Sequence, residues 1–160
     1  MVNNWLHNFY LRASVVKKFL RLPGADRRLL VKVMLLICAV RLMLRLLPFR
    51  MVRELLTKLS HKPAAGVDAE QGSIERVVCA VTVASRYAPA ATCLTQALVT
   101  KLLLGRLGHH AIVRIGVARS YAGEMQAHAW VEAGGRVVIG GSETSLRRYT
   151  PLAAANGELW

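Results

Sequence analysis

The chain has 160 residues, 54% of them hydrophobic, and its 22 Lys and Arg against 9 Asp and Glu give a formal net charge of +13. This length fits one domain, or one domain with an extension, and the apolar fraction allows a full core and argues against a disordered chain. The charge indicates an anionic partner: an acidic peptide, a lipid surface or a nucleic acid. Only 6% of residues are aromatic, and without a stacking platform or known motif the sequence argues against nucleic acid.

Three cysteines, Cys38, Cys79 and Cys93, are irregularly spaced, and no two form a Cys-x-x-Cys pair. This pattern supports neither a disulfide framework nor a zinc site, and we expect no metal or cofactor. Residues 1–11 are too polar for a secretory signal peptide. The sequence therefore predicts a cytoplasmic protein, and association with a membrane surface stays open.

The distribution of charge and of Pro, Gly and Ala divides the chain into three parts. Residues 1–62 are basic and hydrophobic and predict a helical N-terminal region that docks a partner. Residues 63–73 are rich in Pro, Gly and Ala and predict a linker. Residues 74–160 carry most of the acids and predict the catalytic core.

The most hydrophobic segment, residues 29–49, raises the question of a membrane span. Its longest run without charge, residues 33–40, is far shorter than the roughly 20 residues that a span needs. A core helix whose cations reach solvent, a helix on a lipid surface and a helix that docks a partner protein all remain compatible with the pattern. Pro48 should end or kink this helix.

After the linker, the pattern predicts two helices followed by a three-stranded antiparallel meander, with Gly134-Gly135 as a tight hairpin between the last two strands. The expected fold class is therefore α+β, with helices packed on a small antiparallel sheet. The predicted helices are Ser73–Tyr87, closed by Pro89, and Cys93 to Gly105 or Gly108; the predicted strands are Ala111–Ala118, Glu124–Glu132 and Arg136–Gly141.

Cys93 stands at the predicted start of a helix, with Thr92 as a plausible N-cap. Unpaired N–H groups at a helix N-terminus favour a thiolate, and they also suit the oxyanion of an acyl-transfer intermediate. Taken alone, however, a lone cysteine is more often a small buried hydrophobic residue. Cys38 and Cys79 lie inside apolar helical patterns, and we expect both to be buried.

His128 lies in the middle of the second predicted strand, unlike the other histidines. Alternation puts it on one face with Gln126, Trp130 and Glu132, whereas the small residues of the other face should pack against helices. Taken alone, a strand histidine is more often structural than catalytic. Trp130 is a candidate substrate-binding residue that could equally fill the core.

Five motifs occur in order: "ATCLTQAL", "IVRIGVA", "AHAWVE", "GGRVVIGG" and "RRYTPL". A Cys at a helix start followed by a strand with His-Ala-Trp-Val-Glu resembles the transglutaminase-like, papain-like superfamily. The set of motifs resembles more closely the stand-alone leader peptidases of lasso-peptide biosynthesis. The preceding segment, beginning "LPGADRRLLVKV", resembles their N-terminal helical part. The resemblance covers residues 20–152.

The resemblance implies a cysteine peptidase with Cys93 as nucleophile and His128 as base. Such an enzyme removes the leader from a ribosomally made precursor peptide. It also implies two protein partners besides the precursor: a small recognition protein that binds the leader, and an ATP-dependent cyclase that closes the ring.

The third catalytic residue is where the chain departs from this pattern. The family usually has an acid about a dozen residues after the histidine, but here residues 138–141 are Val-Ile-Gly-Gly. Glu132, four strand residues from His128, is about 13 Å away and too far for direct contact. Glu143 is the candidate acid. A backbone carbonyl in this role, or a Cys–His dyad without a third member, is an equal alternative.

Two other functions are compatible with the sequence. The same fold can transfer an acyl group to an amine instead of to water, which would make the protein an acyl or amide transferase. The second alternative is a non-enzymatic cationic protein that binds a membrane surface or nucleic acid.

Overall fold

The computed structural model describes residues 23–60, 71–88, 91–120 and 123–152, without the side chains of residues 71 and 72. These residues fold as α+β, with the four long helices on one face of a four-stranded antiparallel sheet, which confirms the predicted fold class. The helices are α1 (Gly24–Leu46), α2 (Phe49–Ser60), α3 (Gln71–Tyr87), α4 (Cys93–Arg106) and the single turn α5 (Glu143–Leu146).

The sheet has the order β3-β2-β1-β4, and its first three strands form the predicted meander. Gly134 and Gly135 make the hairpin between β2 and β3 with φ values of 58° and 75°, a left-handed conformation that glycine adopts without strain. The fourth strand has only two residues and was not predicted. The strands are β1 (Ala111–Arg119), β2 (Met125–Ala133), β3 (Arg136–Ile139) and β4 (Thr150–Pro151).

Because β3 and β4 lie at opposite edges of the sheet, the chain between them has to cross the sheet. It crosses the outer face, away from the helices, and we call residues 140–152 the crossing segment. Tyr149 of this segment and the ring of Trp130 both lie against Gly116 of β1. Leu146 is the one buried residue of the segment.

Helix α1 is apolar on two sides, which explains why its sequence shows no single polar face. Val33, Ile37 and Val40 are fully buried, whereas Leu35 is 65% exposed and Leu42 is 58% exposed. The helix ends at Leu46, and Pro48 separates it from α2, as predicted. None of the described helices combines the length and the apolar character that crossing a bilayer requires.

Helix α4 lies at the centre of the molecule, between the other three long helices and the sheet. Thr92 caps its start, because its Oγ1 accepts the Thr95 backbone N–H at 3.2 Å, which confirms the predicted cap. The burial of residues on all sides of α4 makes it the element around which the core is built. Its buried residues are Thr95, Ala97, Leu98, Val99, Thr100, Leu102, Leu103 and Leu104.

The predicted boundary between linker and core, after residue 73, falls inside helix α3. This helix begins at Gln71, so the last three residues of the predicted linker 63–73 are helical, while residues 63–70 lie outside the described residues. Buried residues of α1 and α2 share one hydrophobic cluster with α4 and the sheet. The division into docking region and catalytic core stays a prediction.

The expected burial of Cys38 and Cys79 is wrong, because both side chains are exposed. Each lies on the outward side of its helix, while Ile37 and Ala80, their neighbours in sequence, are buried. For Cys38 the reason is that α1 is apolar on both sides, so periodicity does not reveal which side faces the core. Cys79 instead lies on the polar side of α3, with the exposed Thr82 and Arg86. Neither cysteine therefore has a packing role that a substitution would disturb.

Because one side of α1 belongs to the core, its buried and exposed apolar residues should differ sharply in their contribution to the free energy of unfolding. Ile37→Ala should lower the free energy of unfolding by about 2 to 5 kcal/mol, because it opens a cavity at a fully buried site. The matched variant Leu35→Ala, two residues away, should change it by no more than about 0.5 kcal/mol. Urea unfolding followed by circular dichroism measures both, and equal stability of the two variants would contradict this placement of α1.

Candidate active site

Cys93 is the first residue of helix α4 and is half-buried. It packs against the edge of the hydrophobic cluster, so the thiol is held by the buried helix that follows it. The first amides of a helix have no intrahelical partner and point their N–H groups out of its N-terminus. A negative charge that forms on or beside the sulfur is therefore favoured at this position.

His128 lies on β2 and is half-buried. Its Nε2 forms a hydrogen bond with the backbone carbonyl of Gly140, at the start of the crossing segment. The ring of Tyr149, near the other end of that segment, lies 5.2 Å from the imidazole ring between centroids, at an interplanar angle of 32°. The two contacts hold the imidazole from different parts of one segment.

The predicted alternation along β2 is largely confirmed. Ala129 and Val131 are buried in the cluster beneath the helices, whereas Ala127, nearer the start of the strand, is exposed. His128 therefore belongs to the outer face of the sheet. Helix α4 packs against β2, but no hydrogen bond joins Cys93 to His128 within the described part of the chain.

Trp130 is only 4% exposed, and its indole Nε1 donates to Glu132 Oε1 at 3.0 Å. Glu132 also accepts from Arg114 Nε at 3.3 Å, so its carboxylate is engaged away from His128. Little of the indole is accessible to a ligand in this arrangement. The substrate-binding role of Trp130 stays a prediction.

Glu143, the candidate third residue, opens the single-turn helix α5, which Ser142 and Ser145 cap reciprocally. Its side chain is exposed, and it makes no hydrogen bond or ion pair with another described residue. Its catalytic role stays a prediction. The sequence predicted no site role for Gly140 or Tyr149, although the motifs "GGRVVIGG" and "RRYTPL" contain them.

The comparison with protein families gives one match, to the transglutaminase-like superfamily over residues 34–154. Comparisons with curated proteins and with solved structures gave no match. The matched region begins within α1 and includes the whole sheet, so it contains both Cys93 and His128. Because it covers most of the chain, the protein belongs to the transglutaminase-like superfamily.

Proposed function

We propose that the protein is a cysteine peptidase that removes the leader from a ribosomally made lasso-peptide precursor. The observation that supports this most directly is the pairing of elements: a cysteine at the capped start of the central helix, and a histidine on the strand that this helix packs against. The family match favours an enzyme over a non-enzymatic cationic protein. The motifs that resemble lasso leader peptidases favour peptide cleavage within that family.

The reaction needs only these two side chains and water. The Cys93 thiol gives its proton to the imidazole of His128, and the sulfur attacks the carbonyl carbon of the scissile bond to form an S–C bond. The C–N bond breaks as the imidazolium protonates the leaving amine. Water then gives a proton to the imidazole and attacks the thioester, the S–C bond breaks, and the sulfur recovers its proton. The leader leaves with a free carboxyl group.

The N-terminus of α4 stabilises the charge that develops in this reaction. The tetrahedral intermediate carries a negative oxygen next to the sulfur, within reach of the first-turn amides. The mechanism requires Cys93 and His128 to come within hydrogen-bond distance when substrate binds, because catalytic hydrogen bonds are often long or poorly aligned in a free enzyme and tighten in the complex.

A transferase is the second candidate, because an amine that replaces water would take the acyl group from Cys93. The two activities differ in their products. A peptidase releases a leader that ends in a free carboxylate, whereas a transferase releases an amide, and mass spectrometry of the released leader distinguishes them.

Replacing Cys93 tests the nucleophile. Cys93→Ala and Cys93→Ser should lower leader cleavage by roughly a thousandfold or more, since the covalent step requires the thiolate. Cys38→Ala and Cys79→Ala are matched controls at exposed sites and should keep full activity. Cleavage of a synthetic precursor by purified protein with its recognition protein measures the effect, and full activity of Cys93→Ala would exclude Cys93 as the nucleophile.

Replacing His128 tests the pairing with Cys93. His128→Ala should abolish cleavage and should slow alkylation of Cys93 at neutral pH, because a neighbouring imidazolium stabilises the thiolate. The exposed Cys38 and Cys79 also react, so both are replaced by Ser in the labelled proteins. His110→Ala, at an exposed site in the turn before β1, is the control. Equal iodoacetamide rates with and without His128 would show that the two residues are not paired.

The exposed side of α1 is a suitable docking surface for the recognition protein. Apolar Val31 and Leu35 lie beside Arg28 and Lys32 on the exposed side of this helix. Two acids of α1 and α2 are engaged with arginines: Asp26 with Arg76, and Glu54 with Arg50. This cationic and apolar surface complements an acidic protein with exposed apolar residues. We propose that the recognition protein binds here and that the cyclase receives the cleaved product.

Charge reversal on this surface tests the docking. Arg28→Glu with Lys32→Glu should weaken binding of the recognition protein, and the loss should be larger at low salt than at high salt because salt screens exposed charges. Arg86→Glu with Arg119→Glu makes the same change of charge at exposed sites elsewhere and should bind normally. Pull-down at two salt concentrations measures this. Unchanged pull-down, with flotation on anionic vesicles lost instead, would identify a membrane surface as the occupant.

A further inference from the structure

The hydrogen bond of His128 determines which nitrogen of its ring carries the proton. A carbonyl oxygen can only accept, so the Nε2 that bonds to the Gly140 carbonyl must donate its N–H. In a neutral imidazole only one nitrogen is protonated. Nδ1 then holds the free electron pair and is the nitrogen that can act as a base.

The backbone brings the Gly140 carbonyl to this place through a bulge in β3. Val131 pairs with Ile139 and Glu132 pairs with Val137, so Val138 is an extra residue on β3. Such a bulge increases the local twist and redirects the strand. The chain that leaves the bulge runs directly against β2 beside His128.

Only glycine fits at position 140. A Cβ atom there would lie 2.6 Å from Cβ of Trp130, 2.7 Å from its Cα and 2.8 Å from the carbonyl oxygen of Ala129. The φ angle of +104° also disfavours any other residue. Position 140 is twelve residues after His128, where the resemblance led us to expect an acid. No acidic side chain can occupy it in this backbone, and the main chain itself contacts the imidazole.

A second contact limits rotation of the imidazole. Gly116 of β1 pairs directly with His128 of β2, and a Cβ at Gly116 would lie 2.9 Å from Cβ of Tyr149. The missing side chain makes room for Tyr149 beside the histidine ring. Arg148 donates to the Tyr149 hydroxyl at 2.9 Å and holds that ring in turn.

We propose that the Gly140 carbonyl takes the place of the third catalytic residue. It is a positioning group: it holds His128 with the proton on Nε2, and Tyr149 keeps the ring from turning over. Nδ1 is then the nitrogen that exchanges a proton with Cys93 and with the leaving amine, while the Nε2–H stays bonded to Nε2 and donates to the Gly140 carbonyl throughout. The use of Nδ1 rests on the proposed peptidase function; the contact with Gly140 does not.

The test uses the full-length protein labelled with ¹⁵N at histidine. At alkaline pH the Nε2–H of His128, identified by its loss in His128→Gln, should give a proton signal protected from exchange with water, with Nδ1 unprotonated. The exposed His110 should give no such signal. A proton on Nδ1 of His128, or an unprotected Nε2–H, would overturn the proposal.

Gly140→Ala is unsuitable as a test of the carbonyl, because its Cβ would displace Trp130 and the variant could fail to fold. A backbone substitution changes the carbonyl and leaves the glycine in place. Replacing the amide between Gly140 and Gly141 by an ester weakens the carbonyl as an acceptor without adding an atom. The Nε2–H signal should then lose protection, and kcat should fall about tenfold with KM unchanged. An ester variant with unchanged signal and kcat would contradict the positioning role.

Tyr149→Leu tests the second contact, with Tyr87→Leu at an exposed site as its matched control. The Nε2–H signal should broaden in the first variant as the ring turns, and should stay sharp in the second. The measurements separate the two hypotheses. A protected Nε2–H in a protein that cleaves no leader rejects the peptidase and keeps the Gly140 contact. Leader cleavage by a protein whose Nε2–H is unprotected keeps the peptidase function and rejects the Gly140 contact.

Discussion

The enclosure of helix α4 is the constraint on which the rest of the structure depends. Its side chains are buried on all sides, between three helices and the sheet, and close packing of this kind leaves a helix little freedom to move. Its first residue, Cys93, is therefore held in place by the packing of the hydrophobic core. The thiol can stay half-exposed because the helix behind it supplies the stability.

Much of the fold is predictable because its elements have simple periodicities. The leucines of α4, the alternation in β1 and β2, the Thr92 cap and the Gly134-Gly135 hairpin each leave a local pattern in the sequence. Helix α1 is different, since it is apolar both toward the core and toward solvent. Tertiary packing chooses its buried side, and for that reason the exposure of Cys38 could not be foreseen.

The candidate site also has one part that the sequence predicts and another that only tertiary structure reveals. Cys93 and His128 stand out through side-chain chemistry and motif order, and both can be found by reading residues. The contact on Nε2 of His128 comes from a main-chain carbonyl, which every residue possesses and no sequence pattern marks. In the sequence, Gly140 shows only that the expected acid is absent. Its contact with His128 depends on the bulge in β3, which sequence does not predict. Glu143 was the natural choice because it is the first acid after that gap.

We expect the surroundings of Cys93 and those of His128 to lose their structure at different temperatures, because only His128 depends on the crossing segment. Cys93 belongs to the most buried helix, whereas both contacts of His128 come from residues 140–152, which bury only Leu146 and end in a two-residue strand. A segment with so little buried surface opens locally at a lower cost than the whole domain unfolds. Warming would free the imidazole while the helical core is still intact. The proposed activity would then be lost at a lower temperature than the circular dichroism signal, so inactivation and the melting of the fold would be separate events.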